Sequence, residues 1–348
     1  MSREIFKLFV YGTLLQGEMG NCYLDGCKLI RSAEIPGKLY DTGRGYPAAL
    51  FDSNSKETVT GEIYAICGDA DKKLREIDKI EGTEIDLYKR KPIYNRHHFY
   101  VYETGGLLKR YIRTENRIPS GNWRRHGSVA LKNPVEFAIR FESSQKQRYR
   151  EPPPEYSSGL IFLRGEIPIL ITAPHATRHL RMGKLKYQEE YTAALSVILH
   201  ALTGSYVLYT HWASNIDPNF YDDAPFKSKL LNVIRKFGIR FILDLHGTRR
   251  EWSADIYPGV GINREFLFGN DFYLHKLEQS AKSNDLVIGG LHIFPASTQM
   301  TITKFIAKNI QIPAMQIEIN ERLRHPEINP SEFERLVKFF TDYIGSIN

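Results

Sequence analysis

The sequence predicts two domains of different class, a β-rich domain followed by an α/β domain with a mostly parallel sheet and helices on both faces. Three observations carry this. The chain has 348 residues, beyond the size at which a single core usually splits. Three consecutive prolines, Pro152 to Pro154, interrupt the polar stretch Ser143 to Gly159 and can continue neither a helix nor a central strand. The apolar rhythm also changes across that stretch. Before it, short alternating segments at Phe6–Tyr11, Thr58–Ile66 and Phe99–Glu103 read as strands between Gly, Pro and Asp turns. After it, strand-like runs alternate with helical patterns: Ile167–Thr172, then Gln188–Leu202, Tyr206–Tyr209 and Ser228–Phe237. The expected domains are 1–126 and 160–348, joined by a connecting segment over 127–159. An earlier break, around Pro119–Gly127, would make Val129–Phe141 an entry strand of the second domain.

With 42% hydrophobic and 25% charged residues the composition is that of a folded protein, which excludes disordered and fibrous classes. No apolar run reaches the roughly 20 residues of a membrane helix, and the first residues carry no signal-type stretch, so a cytoplasmic chain without a membrane partner is expected. Cys22, Cys27 and Cys67 form no disulfide framework and no C-x-x-C pair, which fits a reducing compartment. Of the net charge of +7, all is in the first part: Lys89 to Arg150 holds 15 basic residues against 4 acidic ones. The stretch reads as a solvated basic face. A docking surface for an acidic partner is the alternative, and no nucleic-acid motif accompanies the charge.

Two centres of chemistry are legible. In the first domain the strand Phe9–Val10–Tyr11 runs into Gly12-Thr13-Leu14, a turn that can turn backbone N–H groups toward an oxygen. In Asp71–Glu81, Leu74, Ile77 and Glu81 fall at i, i+3 and i+7 of a helix that Gly82 would end, which sets Glu81 on the apolar face. A carboxylate so directed is either paired or poised for proton transfer. The segments Y-G-T-L at 11–14, G-Y-P-A-A-L at 45–50, G-E-I-Y at 61–64, I-E-G at 80–82, Y-K-R at 88–90 and S-G-N-W at 120–123 occur in that order. With them the first 126 residues resemble the γ-glutamylcyclotransferase-like family. The resemblance implies a small β-barrel flanked by helices, a glutamyl group cradled by Tyr11, Gly12, Thr13 and Leu14, and catalysis by Glu81, with release of 5-oxoproline.

In the second domain several apolar strands end in a polar residue: His175 after Ile169–Pro174, His211 after Tyr206–Thr210, His246 after Arg240–Leu245, and Glu318 after Pro313–Ile317. At the carboxyl ends of parallel strands such residues converge on one crevice. Two histidines with a carboxylate suit a catalytic zinc, with a second carboxylate as base. The third ligand is expected from Gln188–Thr192. His200, His211 and His292 read individually as ordinary satisfied histidines. Through A-P-H-A-T at 173–177, E-E-Y-T at 189–192, N-I-D-P-N at 215–219, D-L-H-G at 244–247 and I-E-I-N at 317–320, residues 160–325 resemble the N-formylglutamate amidohydrolase-like branch of the zinc carboxypeptidase fold. This implies one zinc held by His175, Glu189 and His246, with Glu190 the alternative third ligand, Glu318 the base, and Asp244 orienting His246. It also implies hydrolysis of an N-acyl amino acid by metal-bound water, with an arginine on the substrate carboxylate, for which Arg249, Arg250 and Arg264 are the candidates. The expected partners are small γ-glutamyl or N-acyl amino-acid substrates, turned over in both domains or in one, the other then being a binding module.

Overall fold

The computed structural model describes residues 6–93, 99–126, 132–153 and 157–348. Gly127–Leu131 and Pro154–Tyr156, on which parts of the expected connecting segment fall, lie outside them. Two compact units result, the first running to Lys132, the second formed by Asn133–Pro153 and Ser158–Asn348.

In the first unit β1 (Lys7–Val10), β2 (Lys28–Asp41), β3 (Pro47–Phe51), β4 (Thr58–Ala65), β5 (Tyr88–Pro92), β6 (Phe99–Thr104) and β7 (Arg117–Ile118) form one sheet. Its path is β3-β2-β4-β1-β6-β5, with β7 on β2, and only β1 and β6 run parallel. The sheet curls until β3 meets β6. No continuous ladder closes it there among the described residues. Side chains bridge the gap instead, Thr104 Oγ1 donating to Ala49 O at 2.7 Å and Phe51 N donating to Glu103 Oε1 at 3.0 Å. The expected barrel is thus a curled, partly closed sheet. Helix α1 (Ala70–Ile80) starts where the Asp69 carboxylate accepts from Lys72 N at 2.9 Å. It buries Leu74 and Ile77 and ends with Gly82 in the left-handed region, φ 62°. Glu81 caps it as the periodicity predicts, one turn past Ile77 and on the same face.

The second unit opens with α2 (Pro134–Lys146), in place of the entry strand expected over Val129–Phe141. Asn133 caps it by accepting from Glu136 N at 3.0 Å, Pro134 takes the first turn, and Phe137, Ala138 and Phe141 are buried. Residues 134–146 are therefore part of this unit rather than a connector. The sheet follows: β8 (Leu160–Leu163), β9 (Ile167–Ala173), the small hairpin β10 (His179–Arg181) and β11 (Lys184–Lys186), β12 (Ser205–Thr210), β13 (Phe241–Thr248), β14 (Ile256–Gly259) and β15 (Ala314–Asn320). The main order is β14-β15-β13-β9-β12-β8. The four inner strands are parallel and the two outer ones antiparallel. Helices α3 (Thr192–Thr203), α4 (Pro225–Phe237), α5 (Phe272–Ser283), α6 (Ile302–Asn309), α7 (Glu321–Arg324) and α8 (Pro330–Ile347) complete the unit.

Leu170, Ile242 and Ala314 pack with Leu230, Ile234, Ile302 and Ile306 of α4 and α6. Each leucine or isoleucine among them, fully buried, contributes about 1.5–3 kcal/mol. Because side chains alternate across a strand, the same sheet face then carries Thr172, then Asp244 and His246, then Gln316 and Glu318. The apolar halves of these strands anchor the sheet, and their carboxyl ends deliver polar groups to one edge.

Candidate active sites

In the first unit β1 leads into a pocket lined by Phe9, Val10, Tyr11, Gly12, Thr13, Leu14, Pro47, Glu81, Tyr88 and Tyr102. All five residues singled out from the sequence meet there. Gly12 is required by packing: a Cβ would stand 2.8 Å from Pro47 Cδ. The turn is held from behind by Gly20 N donating to Thr13 O and Asn21 Nδ2 donating to Leu14 O, both at 2.8 Å. Leu15 N folds back to Gly12 O at 3.1 Å, while the amides of Thr13 and Leu14 hydrogen-bond to no other described residue. Both residues line the pocket. Tyr11 and Tyr88 fix the walls through hydroxyl bonds to Tyr102 O and Pro47 O.

Burial, and secondarily the charge of Asp78 one turn earlier, push the Glu81 carboxyl from about 4.5 up to about 8. Asp78 itself is held by Tyr102 Oη at 2.8 Å and Arg90 Nε at 3.3 Å. No described residue hydrogen-bonds the Glu81 carboxylate. It is a raised carboxyl without a resident hydrogen-bond partner, in a pocket that Thr13 and Leu14 also line.

In the second unit His175, two residues past β9, and His246 of β13 approach each other with ring centroids 4.8 Å apart. Glu189 lies between them: Oε1 is 2.9 Å from His175 Nδ1 and Oε2 is 3.0 Å from His246 Nδ1. Its main chain is tied in as well, Glu189 N donating to His175 O at 2.8 Å. Glu190 turns away and accepts from Gln188 Nε2 at 2.9 Å. The far nitrogens face two aspartates, His175 Nε2 to Asp217 at 2.9 Å and His246 Nε2 to Asp244 at 3.0 Å. Flanked by two ion-paired imidazoles, the Glu189 carboxyl is held well below the ordinary carboxylate range despite its burial. Glu318 stands opposite His246 in the β13–β15 register, accepts from Gln316 Nε2 at 3.1 Å, and is raised by burial to about 7.

The potential ligand atoms of His175, Glu189 and His246 all lie within 4.8 Å of one another. Each imidazole faces carboxylates on both of its nitrogens, which demands either two protons or a cation on the inner side. Two nitrogens and one oxygen, with each histidine oriented from outside by a carboxylate, is the donor set zinc takes at catalytic sites. The residues fit the metal.

The arginines foreseen for substrate do not join this cluster. Arg249, Arg250 and Arg264 are exposed, and Arg264 is engaged by Asp271 at 3.0 Å. Two other arginines lie close to it. Arg181 of the β10–β11 hairpin is partly buried and binds Asp217. Arg324 is buried beside Gly247, where any Cβ would fall 2.4 Å from its Cζ, and it donates to Thr248 O, Ile319 O and Glu190 O. Asp217 also reaches His179 Nε2 at 3.5 Å, and the imidazole of His179, driven down to about 4 chiefly by burial, stacks on His175 at 4.1 Å. His211 is buried but outside the cluster, and neither ring nitrogen has a partner among the described residues.

Residues 8–125 match the family model described as gamma-glutamyl cyclotransferase, AIG2-like. Gamma-L-glutamyl-butirosin B gamma-glutamyl cyclotransferase of Niallia circulans is 35% identical over 112 residues, which span 32% of this chain and 67% of that one. A putative gamma-glutamylcyclotransferase of Vibrio cholerae is 29% identical over 121 residues, 33% of this chain and 93% of the other. The N-formylglutamate amidohydrolase structure from Ralstonia eutropha aligns with 55% of this chain and 98% of its own, at 13% identity and a TM-score of 0.42. No helix among the described residues is long and apolar enough to cross a membrane. Through residues 8–125 the chain belongs to the gamma-glutamyl cyclotransferase, AIG2-like family.

Proposed function

We propose that the first unit cyclises the γ-glutamyl group of a small amide, releasing 5-oxoproline and a free amine. The observation that carries this reading is the Glu81 carboxylate, raised to about 8, beside the amides of Thr13 and Leu14. The substrate's own α-amine is the nucleophile, so holding the glutamyl chain folded supplies most of the proximity. Glu81 takes a proton from that amine as the new C–N bond forms. The two amides support the oxyanion developing on the γ-carbonyl. Glu81 then returns the proton to the departing amine as the old C–N bond breaks. A base near 8 suits both transfers better than an ordinary carboxylate. Release of 5-oxoproline from a γ-glutamyl amide by the purified full chain tests this, and no release from a panel of such amides would contradict it.

The second unit is proposed to hydrolyse the amide of an N-acyl amino acid, with one zinc held by His175, Glu189 and His246. When bound, zinc supplies carbonyl polarisation and a lower pKa for water. Glu318, at the rim of the same cluster, accepts the proton of the attacking water and delivers it to the leaving nitrogen. Asp217 and Asp244 are positioning residues that fix the imidazoles with Nδ1 inward. Arg181 replaces Arg249, Arg250 and Arg264 as the group offered to a substrate carboxylate, because it alone of these stands at the cluster. The three free thiols suit the reducing cytoplasm proposed for the chain. Hydrolysis of N-acyl amino acids that is lost on chelation and restored by zinc would support this part, and metal-independent hydrolysis would refute it.

A further inference from the structure

Beyond the glutamyl pocket, the first unit carries an open trough on the basic stretch. Its basic side chains are Arg44, Arg110, Arg113, Arg117 and His126, set around Tyr111. Several are already spent: Arg117 is paired with Glu57, Arg113 with Glu115 at 3.8 Å, and His126 shares Asp41 with Lys132. Arg44 and Arg110 are not. Both guanidinium groups lie on the Tyr111 ring, at 5.9 and 5.0 Å from its centroid, and neither has a carboxylate partner among the described residues. An aromatic platform that orders two unneutralised guanidinium groups is suited to an acidic group, which guanidinium donors can grip in parallel.

The loop Asp41–Pro47 belongs to both sites. Pro47 lines the Glu81 pocket, and Asp41 to Arg44 line the trough. The loop is braced by Gly43 N donating to Asp41 Oδ1 at 2.8 Å and by Thr42 Oγ1 donating to Tyr46 O. Arg44 hydrogen-bonds the hydroxyl of Tyr46, whose ring meets Tyr88 of the glutamyl pocket at 6.4 Å. Tyr102 and Tyr88 also line the glutamyl pocket, and the Asp41–Pro47 loop is the part of its lining that connects it to the trough.

Resting on the cyclotransferase reading above, we propose that the trough is the leaving-group subsite, and that it selects γ-glutamyl amides whose amine carries an acidic group, carboxylate or phosphate. A solvated basic face, the alternative, would show no such preference.

The test compares γ-glutamyl-glycine with γ-glutamyl-glycinamide, which differ by one charge, and adds γ-glutamyl-O-phosphoethanolamine to separate carboxylate from phosphate. The full chain should favour the acidic members in kcat/KM by about three- to tenfold at low salt, the range expected for exposed ion pairs, and raised salt should erode the preference. In Arg44→Ala/Arg110→Ala the acid-to-neutral ratio should fall toward one, with Arg44→Lys/Arg110→Lys intermediate. A ratio unchanged by both double variants overturns the subsite. If none of the three amides is turned over, the cyclotransferase reading fails separately. Calorimetric titration with inorganic phosphate then decides the trough alone: binding lost with Arg44 and Arg110 supports it, and no binding to the wild type overturns it.

Discussion

Glu81 and Glu189 are the same side chain in two half-buried settings, and the settings drive them in opposite directions. Glu81 caps a helix in a pocket with no cation within bonding reach and with Asp78 one turn behind it, and its carboxyl rises to about 8. Glu189 is as firmly enclosed, but two imidazoles stand at 2.9 and 3.0 Å, and it stays ionised far below the usual range. Burial raises both, so the partner decides the sign. A lone carboxyl near neutrality can take and return a proton. A permanently charged one between two Nδ1 atoms can hold a cation. In the functions proposed above, the two units divide acid–base and metal chemistry by the neighbours they give a glutamate.

The comparison breaks most visibly at Glu81 itself. Glu81→Gln should lower 5-oxoproline release by about 10²- to 10⁴-fold, measured chromatographically, without changing hydrolysis by the second unit. Glu318→Gln should depress that hydrolysis by a similar factor of about 10² to 10⁴ with metal still bound; loss of metal would make Glu318 a ligand instead. Asp217→Asn and Asp244→Asn should each weaken zinc by about 10- to 100-fold in a competition titration with a chromophoric chelator, leaving 5-oxoproline release untouched.

Smaller effects sharpen the Glu81 side. As the proposed base Glu81 would act deprotonated, so kcat/KM for cyclisation should rise with pH up to about 8 and then level. Asp78→Asn should move that limb to lower pH but not to 4.5, since burial is the larger cause. Stability follows the same titration. The folded carboxyl lies above its unfolded value, so its contribution is complete below about 4.5 and is lost as pH rises through about 8. The melting temperature of Glu81→Gln should therefore gain on that of the wild type across this window, and a gap that does not vary with pH would remove the shift from the account.

Much of this was legible where one residue's spacing determines its surroundings. Leu74, Ile77 and Glu81 share a helix face by arithmetic, and His175, His246 and Glu318 follow or end apolar runs that read as buried parallel strands. What depended on the path of loops was not. Asp217 enters the sequence only inside N-I-D-P-N, with no role of its own, yet it stands 2.9 Å from His175 Nε2, because the 211–219 segment returns to the chain just before β10, where Ser214 N donates to Arg178 O at 2.9 Å. Arg249 and Arg250 follow His246 in sequence but project outward, while Arg181 arrives from a hairpin that carries no apolar pattern. The helix Pro134–Lys146 was masked by its charged context, although Asn133-Pro134 is a serviceable capping signal. The choice between Glu189 and Glu190 turns on which carboxylate lies between the histidines, and adjacency in sequence holds no information on that.

Metal content by elemental mass spectrometry, on wild type, Glu81→Gln and His246→Ala after identical gel filtration, tests the contrast most directly. The account predicts about one zinc per chain in the wild type and in Glu81→Gln, and none in His246→Ala. No stoichiometric zinc in the wild type after reconstitution, or its retention in His246→Ala, would contradict it.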